Sequence, residues 1–179
     1  MKRHSLFPPL LLMLIGTLFL SACGFTLRGS SGDFRLPFKT LYVNVSTNDL
    51  FGATLKRQIE STGVQIVSDR KQAEAALEIL GRKKESETLS LSTAGRVREY
   101  ALFYTLRFQV TDRENHILLD PVEIRLRRTL TFSESQALAK DKEEEMLYED
   151  MENDTILQAV RHLANIDPNT LANDVEPDL

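Results

Sequence analysis

The sequence predicts an α+β fold: a mostly antiparallel four- to five-stranded sheet with two helices packed on one face. Three observations predict it. Phe51, Leu55 and Ile59 recur every four residues between two short β-type runs. The middle of the chain then alternates apolar and polar residues over long stretches. Near the end, Tyr148, Met151, Thr155, Ile156, Ala159 and Leu163 form a helical stripe.

The elements follow in order. Leu41, Val43 and Val45 alternate with Tyr42 and Asn44, so residues 40–45 read as a strand. Thr47, Asn48 and Asp49 are N-cap candidates for the first helix, and Gly63 stands where a C′ glycine would stop it. Residues 64–67 are a short strand. Ala75, Leu77 and Ile79 alternate with Glu74 and Glu78, and the strand continues into the polar stretch 82–92. A turn falls at 92–95. Tyr100, Leu102, Tyr104, Leu106, Phe108 and Val110 share one face of the next strand, 98–111, which spans ~45 Å at ~3.3 Å per residue. After a loop at 112–115, Val122, Ile124, Leu126, Leu130 and Phe132 alternate with Glu123, Arg125, Arg127, Thr129 and Thr131, making a hairpin with one buried face. A long helix covers about 136–164 and ends before Asp167-Pro168.

The N-terminus dictates how the rest is partitioned. Lys2 and Arg3 precede an apolar run ending in Leu20-Ser21-Ala22-Cys23, the layout of an export signal. The run is short for a membrane span and contains Gly16 and Thr17. The ending resembles the lipobox of bacterial lipoproteins, in which cleavage precedes a cysteine that takes a diacylglycerol on sulfur and an acyl group on its amine. Stable anchoring needs more than one chain, at ~0.8 kcal/mol per buried methylene. Gly24 in place of Asp suggests passage to the outer membrane. The expected divisions are a signal peptide at 1–22, a lipidated tether at 23–38, an α+β domain at 39–166 and a polar tail at 167–179.

Cleavage leaves roughly 160 residues, enough for one real core. The full chain has net charge −4, and loss of Lys2 and Arg3 makes it more negative, a poor basis for nucleic-acid binding. Cys23 is the only cysteine, so acylation leaves no thiol and no disulfide. His116 and His162 have no second His or Cys at ligand spacing, and no G-x-S-x-G, Walker A or H-E-x-x-H pattern occurs. The acidic run 141–145 reads as a solvated helix face. An enzyme is not expected, and no metal or cofactor beyond the covalent lipid on Cys23. Arg96 and Arg98 at the hairpin start, Arg107, Arg125 and Arg127 on its polar face, and Lys140 at the opening of the long helix are candidate phosphate contacts. Plain solvation of an exposed sheet face accounts for the same residues.

Cys23-Gly24-Phe25-Thr26-Leu27-Arg28 is similar to the opening of the LptE family of lipopolysaccharide-assembly lipoproteins. The likeness recurs from Gly95 to Glu99-Tyr100, and again at Gln136-Ala137-Leu138-Ala139-Lys140-Asp141 with Glu144 and Met146. The resemblance implies a plug inside the LptD outer-membrane β-barrel, needed for barrel assembly and lipopolysaccharide delivery to the outer leaflet, that also binds lipopolysaccharide. It implies anchoring in the inner leaflet of the outer membrane through Cys23. The family's basic residue in the long-helix opening matches Lys140. A second basic position falls on Thr93, so Arg96 or Arg98 would have to serve instead. Lys140 is expected on the solvent side of its helix. The alternatives are a lipid-anchored periplasmic carrier, which needs an apolar cavity, and a pilot lipoprotein for another outer-membrane pore.

Overall fold

Leu41 and Val43 alternate with Tyr42 and Thr40, and this short run forms strand β1, Thr40–Val43, in the computed structural model. Its two apolar side chains are buried at the heart of the core. The structure describes residues 35–46, 48–131 and 137–167. The signal segment, Cys23, the tether up to residue 34 and the tail from 168 lie outside these residues. The described end of the tether is packed: Phe38 is buried and Leu36 lies against the core, so the domain takes in residues ahead of 39.

Helix α1, Leu50–Glu60, buries the stripe Phe51, Leu55 and Ile59. Its N-cap is Asp49, whose main-chain oxygen accepts from Ala53 N at 2.9 Å. The Asp49 carboxylate makes no cap bond, because Arg82 holds it. A Cβ on Gly52 would stand 2.2 Å from the Ser46 carbonyl oxygen, so the helix can approach the incoming loop only with glycine there. Beyond the C-cap Ser61, Gly63 adopts a φ of +89° and redirects the chain into β2, Gln65–Val67.

β1 pairs in parallel with both β2 and the long strand β3, Ala75–Leu91. A 3-10 turn at Arg70–Gln72, capped by Asp69 accepting from Lys71 N at 3.0 Å, leads into β3 and was not foreseen. β3, β4 (Val97–Asp112) and β5 (Ile117–Thr131) pair antiparallel, giving one five-stranded mixed sheet of order β2-β1-β3-β4-β5. β5 starts earlier than its alternation suggested. Pro121 hides that start by breaking the pattern, and the register slips there from Val110↔Leu119 to Phe108↔Val122. An edge strand tolerates this, because its outer N–H groups have no ladder to serve.

Helix α2, Ala137–Ala164, is 28 residues and so about 42 Å long. The expected stripe Tyr148, Met151, Thr155, Ile156, Ala159 and Leu163 is buried, together with Val160 and Ile166. Both helices cover one sheet face, on which Leu102, Tyr104, Leu106 and Phe108 are fully buried. Each such side chain is worth roughly 1.5–3 kcal/mol. The opposite face carries Thr105, Arg107, Arg125 and Arg127, with Phe103 lying 4.3 Å beneath the Arg125 guanidinium. That face is polar as expected.

Candidate functional site

Two contacts orient α2 on the sheet. Tyr148 Oη donates to Glu85 O at 2.7 Å, and the His162 ring stands edge-on to Phe108 at 6.0 Å. Glu85 pairs with Phe103, so α2 runs alongside β4 in the same direction. Its first turns therefore lie at the end of the sheet where β3 turns into β4. Lys140, eight residues before Tyr148, is about 12 Å nearer that turn.

The turn is tightly bonded. Ser92 N donates to Arg96 O at 2.7 Å, Gly95 N to Ser92 O at 2.9 Å, and Arg96 N to Ser92 Oγ at 3.1 Å. Gly95 supplies the positive φ, +75°, that the geometry needs. Arg96 and Arg98 are exposed within this turn and the first residues of β4. Arg98 borders a shallow depression with Ser90, Leu91, Glu99 and Thr131, where Ser90 Oγ donates to Glu99 Oε2 at 2.7 Å. Thr93 is exposed in the same turn.

Lys140 departs from the expectation of a solvent-facing side chain. Only 15% of it is exposed, and its ammonium is held by Glu143 one turn along. A helical wheel drawn from the acidic run alone hides this, since every polar residue there reads as solvated. The structure thus brings Arg96 and Arg98 together and sets Lys140 at the same end of the fold. Cys23 lies outside the described residues.

Sequence reasoning missed a second charged feature. Between α1 and α2, over β3, runs a groove of about 830 Å³. Arg82 reaches into it, pairs with Asp49, lies 3.8 Å from Glu152 and stacks 4.4 Å over Phe51. Lys84 Nζ is 3.7 Å from Glu152 and 5.3 Å from the Tyr148 ring centre. Burial, and then the Glu152 charge, push the Tyr104 hydroxyl well above the usual tyrosine range. Burial, with Glu144 and Glu85, also raises Tyr148. The triplet Arg82-Lys83-Lys84 was the available signal.

On the opposite face, a hydrogen bond from Arg70 and a second from Gln109, the latter 2.7 Å long, hold the Glu78 carboxyl below the usual carboxylate range. Glu85 is lowered chiefly by its bond from Lys83. Among the described residues no group of three or more His, Cys, Asp or Glu side chains is placed to hold a metal. These are fixed cations suited to holding anions and protein surfaces.

The body that positions them coincides with a known family. A family model described as "LptE: Lipopolysaccharide-assembly" matches residues 38–163, from just before β1 almost to the end of α2. The chain belongs to the LptE family. "LPS-assembly lipoprotein LptE" of Pectobacterium atrosepticum is 29% identical over 168 residues, covering 92% of this chain and 88% of that protein. Its namesake from Yersinia enterocolitica is 28% identical over 165 residues, covering 90% and 76%. Among solved structures, the solution structure of lipoprotein B from Nitrosomonas europaea superposes with a TM-score of 0.67 at 38% identity, covering 79% of this chain and 90% of that one. The crystal structure of rare lipoprotein B from Shewanella oneidensis gives 0.59 at 25% identity, covering 76% and 99%. The five-stranded sheet with two helices is the family's fold, and family membership indicates a role in lipopolysaccharide assembly. Among the described residues no helix is long and apolar enough to cross a membrane.

Proposed function

We propose that this LptE-family chain is an outer-membrane lipoprotein, anchored through lipid on Cys23, that plugs and helps assemble the LptD β-barrel and takes part in moving lipopolysaccharide to the outer leaflet. The single observation that carries this reading is the family match across 38–163, from just before β1 almost to the end of α2. A helix about 42 Å long and a polar sheet face suit a wide lumen. Lipopolysaccharide binds at the turn end, its phosphates met by Lys140, Arg96 and Arg98. The carrier alternative draws little support from the groove, where Leu50, Phe51 and Ile156 share the walls with seven charged residues. Tagged protein pulled from detergent-solubilised outer membranes should bring down a β-barrel protein, and Cys23→Ser should leave a precursor without lipid. A free monomer carrying an unmodified cysteine would overturn the reading.

A further inference from the structure

Both helices lie on one side of the sheet, and the charges on the other side fall into two groups. Lys83 Nζ meets Glu85 at 2.7 Å, Arg107 stands 3.8 Å from Glu123, and Arg70 is held by Glu78. Arg125 and Arg127 are different. Both are exposed on β5, and among the described residues neither guanidinium forms an ion pair or a hydrogen bond. Glu85 stands across Phe103 from Arg127 in the ladder, but Lys83 has taken it.

The two cations share one ring. The Phe103 ring centre is 4.3 Å from Arg125 Cζ and 5.9 Å from Arg127 Cζ. Ring contact restrains both side chains and leaves their planar N–H forks to be met from outside. Like charges held this close repel unless an anion lies over them. They stand together in a chain of net charge −4, where carboxylates are in excess. A carboxylate meets an arginine fork through two parallel bonds. Arg125 and Arg127 are two residues apart on one strand, so the anions they call for repeat at about 6.8 Å. Alternate side chains of a facing strand have that repeat, and stacked sheets lie about 10 Å apart, a gap these long side chains bridge. Thr105 and Thr129 flank the pair with short side chains, which leaves the approach of a second sheet open. The proposed phosphate contacts lie elsewhere: Arg127 is four residues, about 13 Å, along β5 from Thr131, which pairs with Glu99 beside the turn.

We infer that the Phe103, Arg125 and Arg127 patch docks on a strand of the barrel wall whose lumen-facing side chains include two carboxylates at alternate positions, one to each guanidinium. The inference rests on the proposed function, which supplies a barrel as the partner. Inward and outward residues alternate along every barrel strand, so the wall presents the required spacing.

The test places a photo-crosslinking residue at Thr129, exposed on the same face of β5, in the tagged full chain expressed in its own bacterium. Mass spectrometry then reads the peptide it captures. The expected product is a barrel peptide carrying Asp or Glu at alternate positions. In a second arm, Arg125→Glu with Arg127→Glu should lower the barrel recovered with the chain on the order of tenfold, and reversing the two barrel carboxylates to arginine should restore it. Circular dichroism checks the fold of the double variant. If that variant does not fold, the crosslink decides alone, because it is made with both arginines in place. Three results overturn the inference and leave the proposed function standing: capture of lipopolysaccharide instead of protein, a captured barrel peptide without the acidic pair, or undiminished barrel recovery by the folded double variant. Failure of the wild-type chain to bring down any barrel overturns both.

Discussion

A phosphate approaching Lys140 competes with Glu143 for the same ammonium. The pair is three residues apart on α2, and Glu143 is 43% exposed, so its hold on the ammonium is worth only roughly 0.2–0.5 kcal/mol. A phosphate accepting a charge-assisted bond from Lys140, with 15% of that side chain exposed, is worth roughly 1.5–3 kcal/mol. The exchange therefore favours the glycolipid by about 1–2.5 kcal/mol. Glu143→Gln removes the competitor and should tighten lipopolysaccharide binding by roughly a factor of two. Lys140→Ala should weaken it by roughly 5- to 70-fold, and Lys140→Asp further, through repulsion. The assay is binding of purified lipopolysaccharide to the soluble domain at low salt, with circular dichroism as the folding control. Unchanged binding in a combined Lys140, Arg96 and Arg98 charge reversal would refute the assignment. A weaker Glu143→Gln would refute the competition argument.

Gly52→Ala should cost about 1–3 kcal/mol in denaturant unfolding, because its Cβ would stand 2.2 Å from Ser46 O. An unchanged midpoint would mean the loop yields freely. Tyr148→Phe deletes the 2.7 Å bond to Glu85 O and should cost about 0.5–1.5 kcal/mol, read as a fall in melting temperature of a few degrees. Arg70→Ala should destabilise by about 1–2 kcal/mol at neutral pH, since Glu78 loses its strongest bond. Because that carboxyl is lowered in the fold, its contribution is present above the usual glutamate value and vanishes as pH falls through the lowered one. The gap between wild type and variant should therefore narrow as pH falls below the usual glutamate range, leaving the part that comes from the Arg70 bond to Thr111, and a constant gap across pH would contradict the cause given.

What could be read from the sequence was whatever one period decides. The Phe51-Leu55-Ile59 and Tyr148-to-Leu163 stripes fell into the core as predicted, and so did the alternation of 100–110, because burial on one face leaves no other solution. Parallel pairing of β1 was not legible, since strands this short carry no mark of their direction. Pro121 concealed the start of β5, and only its place at the sheet edge explains why the strand survives it. The covered state of Lys140 and the Arg82 groove depend on how α2 crosses the sheet, which no local pattern encodes. The lipid on Cys23 rests on the sequence alone, and the mass of the mature N-terminus checks it.

The most direct test of the lipopolysaccharide-assembly account is depletion of this protein from its own bacterium, followed by measurement of newly made lipopolysaccharide at the cell surface and of folded LptD-like barrel in the outer membrane. The account predicts that both fall together and that the wild-type chain restores both. Normal surface delivery with a normally folded barrel, in cells shown to lack the protein, would contradict it.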